Sequence, residues 1–182
     1  MSASASPPAS RAGKYLTFVL GAEHYGIEIV KVREILGVMP ITPMPQTPHC
    51  VRGVINLRGK VIPVVDTRAK FGMREREDTS ETCIIVVDVD GKSIGLLVDT
   101  VKEVMDIGDD QIEAPPKFGA DGDADCIRGL GKIDDQVKIL LDIDRVVGGL
   151  YANEGDLPGG FGGWDRPAGA AAGADANSII PL

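Results

Sequence analysis

The sequence predicts an all-β fold with a few short helices, built as two similar halves. Aromatic residues make up only 4% of the 182 residues, so Val, Ile and Leu have to fill the core, and β-branched residues favour pleated sheet. Short runs of these residues are bounded by Gly, Pro and Asp, as is typical of strands. An internal repeat relates the two halves, and all-β halves of this size tend to close into small barrels that remove exposed sheet edges.

Six segments carry the strand pattern. The stretch VKVREI alternates apolar and charged residues, as expected of a half-buried strand, whereas IIVV is continuously apolar and predicts a core strand. In chain order the segments are YLTFVL (15–20), YGIEIVKVREIL (25–36), KVIPVV (60–65), TCIIVVDV (82–89), KSIGLLVDTVKEVM (92–105) and QVKILLDI (136–143).

Two short helices are predicted, each directly after a strand. The stretch DTRAKFG begins with Asp66 and ends at Gly72, and DIDRVVGG begins with Asp142 and ends at Gly148. Aspartate is a favoured N-cap residue and glycine a favoured helix terminator. We therefore interpret both aspartates as caps rather than as catalytic acids.

The internal repeat consists of two aligned blocks. The stretch YGIEIVKVREI aligns with IGLLVDTVKEV, and VRGVINLRGKVIPVVDTR aligns with IRGLGKIDDQVKILLDID. The spacing between partners is longer in the second block, which predicts an insertion in the loop around residues 113–125. The matched pairs are Gly26 and Gly95, Val32 and Val101, Glu34 and Glu103, Arg52 and Arg128, Gly53 and Gly129, and Asp66 and Asp142.

Composition divides the chain into three parts. Residues 1–13 are rich in Ser, Ala and Pro, and residues 152–182 are rich in Gly and Ala. Such segments carry too few apolar side chains to offset the entropy of ordering, so we expect two flexible tails around a domain at residues 14–151. The apolar residues Ile179, Ile180 and Leu182 leave open a terminal peptide that docks on a partner.

Charge and cysteine usage limit the classes of partner. The net charge of −8, without a basic stripe, argues against nucleic-acid binding and against an electrostatic membrane anchor. Three separated cysteines fit a reducing compartment. No apolar run reaches the length of a membrane span, and the N-terminus lacks the apolar core of a secretory signal. These features predict a cytoplasmic protein that does not insert into the membrane.

Motifs for catalysis or for metal and cofactor binding are missing or incomplete. The stretch DGDAD at 121–125 begins like a calcium loop but lacks the required Gly and Glu, and GLGK at 129–132 lacks the flanks of a phosphate loop. His24 and His49 lie outside any zinc motif. Asp88, Asp90 and Asp99 flank a predicted hairpin turn, and an acid–base pair among them stays open. The sequence therefore predicts no enzymatic activity, no cofactor and no metal.

The most informative surface feature is the hairpin tip NLRG. Gly59 permits a positive φ at the turn, and Leu57 and Arg58 are expected to project from it. Val32 and Glu34 share one strand face, since side chains alternate with period two. Two interpretations stay open: a protein contact surface, which favours Arg with aliphatic neighbours, or a solvated tip with an internal Glu34–Arg58 ion pair.

Several segments resemble the CheW-like domain family. They are TFVLGAEHYGIEIVKVREILGV, TPHCVRGVINLRGKVIPVVDTRAKFGM, GLLVDTVKEVM and IRGLGKIDDQVKILLDIDRVV. The resemblance covers residues 14–151, and RGVINLRGKVIPVVD is its most specific part. It implies two intertwined five-stranded SH3-like β-barrels, which agrees with the repeat.

The resemblance also implies a non-catalytic adaptor of bacterial chemotaxis. Such adaptors join the cytoplasmic tip of transmembrane chemoreceptors to the histidine kinase CheA, whose regulatory domain is a paralogue, and the receptor binds in the groove between the barrels. Matching the family motif implies that six residues contact partners: Val32, Glu34, Asn56, Leu57, Arg58 and Gly59.

Two other functions stay open at this point. The same domain could serve another receptor–kinase system, such as one that controls twitching or development. A third possibility is an enzyme or small-ligand binder that uses the groove between the barrels. The absence of a convergent polar cluster in the sequence disfavours this third function.

Overall fold

The computed structural model describes residues 10–115 and 126–151, which form two β-sheets and two helices. The predicted all-β class is confirmed. The residues 29–31 and 109–111 form single 3-10 turns. The elements are β1 (Gly13–Leu20), β2 (Glu23–Glu28), β3 (Val32–Gly37), β4 (Val51–Leu57), β5 (Lys60–Asp66), α1 (Thr67–Lys70), β6 (Cys83–Val89), β7 (Lys92–Val98), β8 (Thr100–Ile107), β9 (Ile112–Glu113), β10 (Ile127–Ile133), β11 (Gln136–Leu141) and α2 (Ile143–Tyr151).

The two sheets have equivalent strand orders, because each combines the first two strands of one half with the last three repeat strands of the other. One sheet has the order β3-β6-β7-β5-β4, and the other has the order β8-β1-β2-β11-β10-β9. The repeat relates β1–β2 to β6–β7, β3 to β8, and β4–β5 to β10–β11. Each half is therefore divided between the sheets: β1 and β2 join β8, β10 and β11 of the second half, and β6 and β7 join β3, β4 and β5 of the first. This is the intertwining that the family resemblance implies. The second sheet has a sixth strand of two residues, β9, and closure of each sheet into a complete barrel stays a prediction.

Two strands predicted as continuous are each divided in the structure. The segment 25–36 is interrupted by the 3-10 turn at 29–31, and the segment 92–105 is interrupted at Asp99. The chain leaves one sheet and joins the other at these two points, which we call the crossovers. Because apolar residues continue on both sides of each crossover, the sequence pattern does not mark the change of sheet.

The core has three parts. The largest lies between the sheets and includes buried residues of both sheets and of α2, among them Phe18, Ile85 and Val146. The five-stranded sheet has its own apolar cluster, and the six-stranded sheet has a smaller one of Tyr15, Ile107 and Leu140. The shared central core explains how the two halves are held as one domain. The cluster of the five-stranded sheet consists of Ile55, Ile62, Val64, Ile84, Val86 and Leu97.

The helix predictions are confirmed in part. Asp66 caps α1, since its Oδ1 accepts hydrogen bonds from the N–H groups of Arg68 (3.0 Å) and Ala69 (3.3 Å). Asp142 likewise precedes α2 and accepts from the N–H of Arg145 at 3.4 Å. The predicted end of α2 at Gly148 is wrong, because the helix continues to residue 151. Gly148 does not adopt the positive φ of a helix terminator.

The start of the domain is tied down by Asp109. Its carboxylate accepts hydrogen bonds from the hydroxyl of Ser10 (2.7 Å) and from the N–H groups of Arg11 and Ala12 (2.9 Å each). Residues 10–13 of the predicted N-terminal tail are thus described, and residues 1–9 are not. Both the predicted C-terminal tail and most of the predicted insertion, including DGDAD, also lie outside the described residues. None of the described helices is long and apolar enough to cross a membrane.

Candidate functional site

The candidate site lies at the tip of the β4–β5 hairpin. The turn is formed by Arg58 (φ 53°) and Gly59 (φ 84°), and two consecutive positive φ angles are the requirement of a type I′ turn. The N–H of Gly59 donates to Oδ1 of Asn56 at 2.9 Å. The predicted positive φ of Gly59 is confirmed, and the Asn56 side chain holds the turn in this shape.

Arg58 and Glu34 form a bidentate ion pair at this tip. The Arg58 guanidinium donates to Oε1 of Glu34 at 2.5 Å and to Oε2 at 3.0 Å. Glu34 is in β3, at one edge of the five-stranded sheet, whereas Arg58 follows β4, at the opposite edge. The ion pair therefore connects the two edges of this sheet, and the internal pairing that the sequence left open is present.

The ion pair shifts the pKa of both groups. The hydrogen bonds from Arg58, followed by its charge, hold the pKa of Glu34 below its ordinary value. The same hydrogen bonds raise the pKa of Arg58. The Arg58 side chain is 72% exposed, so solvent screening leaves the pair little weight in overall stability. Its main effect is geometric, since a bidentate pair fixes a planar arrangement of donors and acceptors at the surface.

A β-bulge directs Glu34 toward Arg58. The register between β3 and β6 shifts between Val32 and Glu34, so Arg33 occupies the extra position. The Arg33 guanidinium binds Oδ2 of Asp88 at 2.6 Å and Oγ of Ser93 at 3.2 Å, and this hydrogen bond lowers the pKa of Asp88. Because bulges change the direction of neighbouring side chains, the anchored Arg33 fixes the position from which Glu34 reaches the tip.

The apolar part of the tip differs from the prediction. Leu57 does not project into solvent: it is half-buried and packs against the cluster of the five-stranded sheet. Val32 is also half-buried and packs against the central core. The exposed apolar side chains on these elements are Ile35 (43% exposed) and Val61 (41%). The sequence analysis missed both, although Ile35 could have been found from the alternation of β3 that turns Leu36 inward.

The six predicted contact residues thus separate into two layers. Glu34, Asn56, Arg58 and Gly59 come together at the surface of the tip. Val32 and Leu57 lie below them and support the strands that carry them. Ile35 of β3 and Val61 of β5 are the exposed aliphatic side chains of the strands around this layer. We call these six exposed or surface-layer residues the hairpin surface: Glu34, Ile35, Asn56, Arg58, Gly59 and Val61.

The three aspartates around the β6–β7 hairpin have separate structural positions. Asp88 binds Arg33, Asp90 lies in a tight turn with φ 51°, and Asp99 pairs with Arg68. The three carboxylates are thus used separately, and the acid–base pair left open by the sequence is not formed. Within residues 10–115 and 126–151, no group of His, Cys, Asp and Glu side chains is arranged to hold a metal ion.

Comparisons with known proteins agree on one family. The family model described as "CheW-like domain" matches residues 14–149. The chemotaxis protein CheW of Rhizobium meliloti is 39% identical over 131 residues, which are 72% of this chain and 84% of that protein. CheW of Klebsiella aerogenes is 35% identical over 134 residues, 74% of this chain and 81% of that protein. The crystal structure of the scaffolding protein TtCheW from Thermoanaerobacter tengcongensis matches with a TM-score of 0.69 and 37% identity, covering 74% of this chain and 92% of that one.

Proposed function

This chain belongs to the CheW-like domain family, and we propose that it is a non-catalytic adaptor that couples transmembrane chemoreceptors to the histidine kinase CheA. The relatives are chemotaxis proteins named CheW, and the similar crystal structure is that of a scaffolding protein. The domain at residues 14–151 carries this role. The adaptor works in the cytoplasm and is recruited to receptor arrays by its partners.

The observation that carries the proposal is the hairpin surface. Its ion pair is preorganised at 2.5 and 3.0 Å, and exposed aliphatic side chains lie on β3 (Ile35) and on β5 (Val61). Arg together with apolar groups is favoured at the centre of protein interfaces. A preorganised contact loses less conformational entropy on binding, so a small surface of this type supports a specific contact.

We propose that the receptor binds in the groove that the family resemblance implies between the two barrels. A receptor tip is a helical bundle, and an amphipathic helix binds by placing its apolar face in an apolar groove. Each contact of this kind is weak alone, and arrays gain strength because many contacts form together. The adaptor then has no chemical step to perform. It holds receptor and kinase in one geometry, so that the conformation of the receptor shifts the equilibrium of the kinase.

The test is a reconstitution with a receptor cytoplasmic fragment and CheA from the same source. Autophosphorylation of CheA is measured with and without this protein, and binding to CheA is measured separately. We expect strong activation that depends on the receptor. Arg58→Ala removes the ion pair. It should weaken binding to CheA by about tenfold or more, because Glu34 loses its fixed position.

Arg74→Ala is the matched control, since it removes the same charge from an exposed position away from the tip. It should leave activation unchanged. The proposal is wrong if the folded protein gives no activation, and kinases of twitching or developmental systems would then be tested in the same assay. If activation occurs but Arg58→Ala equals Arg74→Ala, the adaptor role stands and the hairpin surface is excluded.

A further inference from the structure

A chain of polar side chains links the turn of the β6–β7 hairpin to the hairpin surface. Gly91 lies in that turn with φ 80°, and its N–H donates to Oδ1 of Asp88 at 2.9 Å. Oδ2 of the same carboxylate accepts a hydrogen bond from the Arg33 guanidinium at 2.6 Å. Arg33 directly precedes Glu34, which forms the ion pair of the hairpin surface. One carboxylate therefore holds both the β6–β7 turn and the bulge that carries Glu34.

The backbone alone holds this part of β3 weakly. β3 is the edge strand of its sheet and is paired with β6, and a bulge interrupts the ladder of backbone hydrogen bonds. The interruption falls at Arg33, the residue next to Glu34. The Arg33 side chain compensates for it by binding Asp88 of β6 and Oγ of Ser93 of β7, the latter at 3.2 Å. We call Arg33, Asp88 and Ser93 the anchor.

The anchor fixes direction more than it adds stability. The side chains of Arg33 and Asp88 are 43% and 37% exposed, so solvent screens their attraction. Ser93, at the other end, is 8% exposed. Because the guanidinium is a planar fork, two acceptors bound to two of its nitrogens set its orientation. Loss of the anchor should therefore change the position of the bulge with little effect on folding.

The second half has an equivalent bulge that is held in another way. The register between β1 and β8 shifts at the corresponding place. The repeat places the apolar Val19 at the position of Asp88. The hydroxyl of Thr17 instead bonds the backbone carbonyl and N–H of Glu103, which fixes the main chain of that bulge. The side-chain anchor thus belongs to the half whose hairpin carries the ion pair.

We propose that Arg33 is a positioning residue for the hairpin surface, which it holds in place from the β6–β7 turn through Asp88. This inference rests on the proposed function, because it concerns how the surface that binds CheA keeps its shape. Arg33 acts through Glu34 rather than by touching the partner. A side chain that is held before binding loses less conformational entropy when the partner arrives. Breaking the anchor should therefore lower the affinity for CheA although no contact residue is changed.

The first test is an NMR titration of the Glu34 carboxyl in the free full chain, with and without Asp88→Asn. Removal of a neighbouring negative charge would by itself lower the pKa of Glu34. Loss of the anchor should raise this pKa, because the hydrogen bonds from Arg58 would form less often. We expect the rise, and a fall or no change would overturn the proposal. Asp106→Asn removes an exposed carboxylate from the six-stranded sheet and should leave the pKa unchanged.

The second test is a double-mutant cycle for binding to CheA. Arg33→Ala alone should weaken binding by about threefold or more, and Asp88→Asn should do the same. In the Arg58→Ala background Arg33→Ala should have no further effect, because there is no ion pair left to position. Equal losses in both backgrounds would overturn the proposal and make Arg33 an independent contact. The melting temperatures of the single variants should stay close to that of the original chain, since the anchor is exposed.

The two tests separate this inference from the proposed function. If Arg58→Ala leaves binding to CheA unchanged, the hairpin surface is excluded as the contact. The Glu34 pKa in the free chain then still decides whether Arg33 positions Glu34. If Arg58→Ala weakens binding but the Glu34 pKa does not rise in Asp88→Asn, the hairpin surface stands and the positioning role of Arg33 is wrong.

Discussion

The two halves of this protein share a backbone and differ in the charges that it carries. The repeat relates the β4–β5 hairpin to the β10–β11 hairpin, and each turn is formed by two residues with positive φ. These are Arg58 and Gly59 in the first half and Asp134 and Asp135 in the second. The repeat places Glu34 of β3 and Glu103 of β8 in equivalent positions. The first half forms an ion pair between its sheet edges, whereas the second half has acidic residues, Glu103 and Asp134, at the two equivalent positions. Duplication preserved the geometry, and substitution gave the two halves different surfaces.

The two crossovers also share a backbone path and differ in the ion pairs that hold them. At the second crossover the carboxylate of Asp99 pairs with Arg68 of α1 and accepts a hydrogen bond from the N–H of Gly21 at 2.7 Å. At the first crossover Lys31 pairs with Asp144 of α2 at 3.0 Å. The helix supplies the cation in one case and the anion in the other. The Asp99 side chain is 13% exposed and Lys31 is 33% exposed, so the second crossover is held by the more buried pair.

The largest expected effect comes from breaking the second crossover. Asp99→Ala should lower the free energy of unfolding by roughly 3 kcal/mol, because it leaves the Arg68 guanidinium unpaired and nearly buried. Lys31→Ala should cost less than about 1 kcal/mol, because its pair is open to solvent. Chemical denaturation of both variants gives the comparison directly. Equal losses would mean that the two crossovers are held with the same strength and that burial does not distinguish them.

A smaller effect is expected at a second bulge, between β1 and β8, where the register shifts between Leu16 and Phe18. Thr17 is fully buried, and its hydroxyl donates to the carbonyl of Glu103 at 2.7 Å and accepts from the N–H of Glu103 at 3.2 Å. Thr17→Val keeps the shape and leaves both backbone groups without this partner, so we expect a loss of about 1–2 kcal/mol in denaturation. The repeat places Val86 at this position in the first half, where Arg33 anchors the bulge instead.

Thr100→Val is the control for Thr17→Val. Thr100 is in the same strand as Glu103, and its hydroxyl bonds an exposed carboxylate of Glu81 at 3.3 Å. This substitution should change the free energy of unfolding by less than about 0.5 kcal/mol. If both threonine variants lose the same amount, the hydroxyl of Thr17 has no special role at the bulge.

The sequence predicted what depends on local pattern. Strand alternation, the N-cap of Asp66 and the turn at Gly59 follow from side-chain period and backbone conformation, and each is confirmed. The change of sheet after β2 and after β7 could not be predicted from the residues alone. Both crossovers keep the apolar pattern, and the choice of sheet depends on packing between distant segments. The family resemblance supplied the intertwining instead.

The candidate site was predicted only in part, because it also depends on contacts between segments that are distant in sequence. The pairing of Glu34 with Arg58 was one of two open interpretations, since a long side chain at a turn can reach a neighbouring strand or a partner. The half-buried position of Leu57 depends on the inner cluster of its sheet, which lies far away in sequence.

The smallest expected effect concerns the protonation of Glu34, and it tests whether the first hairpin surface is preorganised. Its folded pKa is lowered, chiefly by the hydrogen bonds from Arg58. The contribution of the pair is therefore present above the ordinary pKa of glutamate, and it is lost as the pH falls through the lowered folded value. An NMR titration of the Glu34 carboxyl should show this low pKa, and Arg58→Ala should return it toward the ordinary value while Arg74→Ala does not. A Glu34 pKa that is insensitive to Arg58→Ala would mean that the pair does not persist in solution. The first half would then present two separate charges. The two hairpins would differ in their charged residues, but neither would be preorganised.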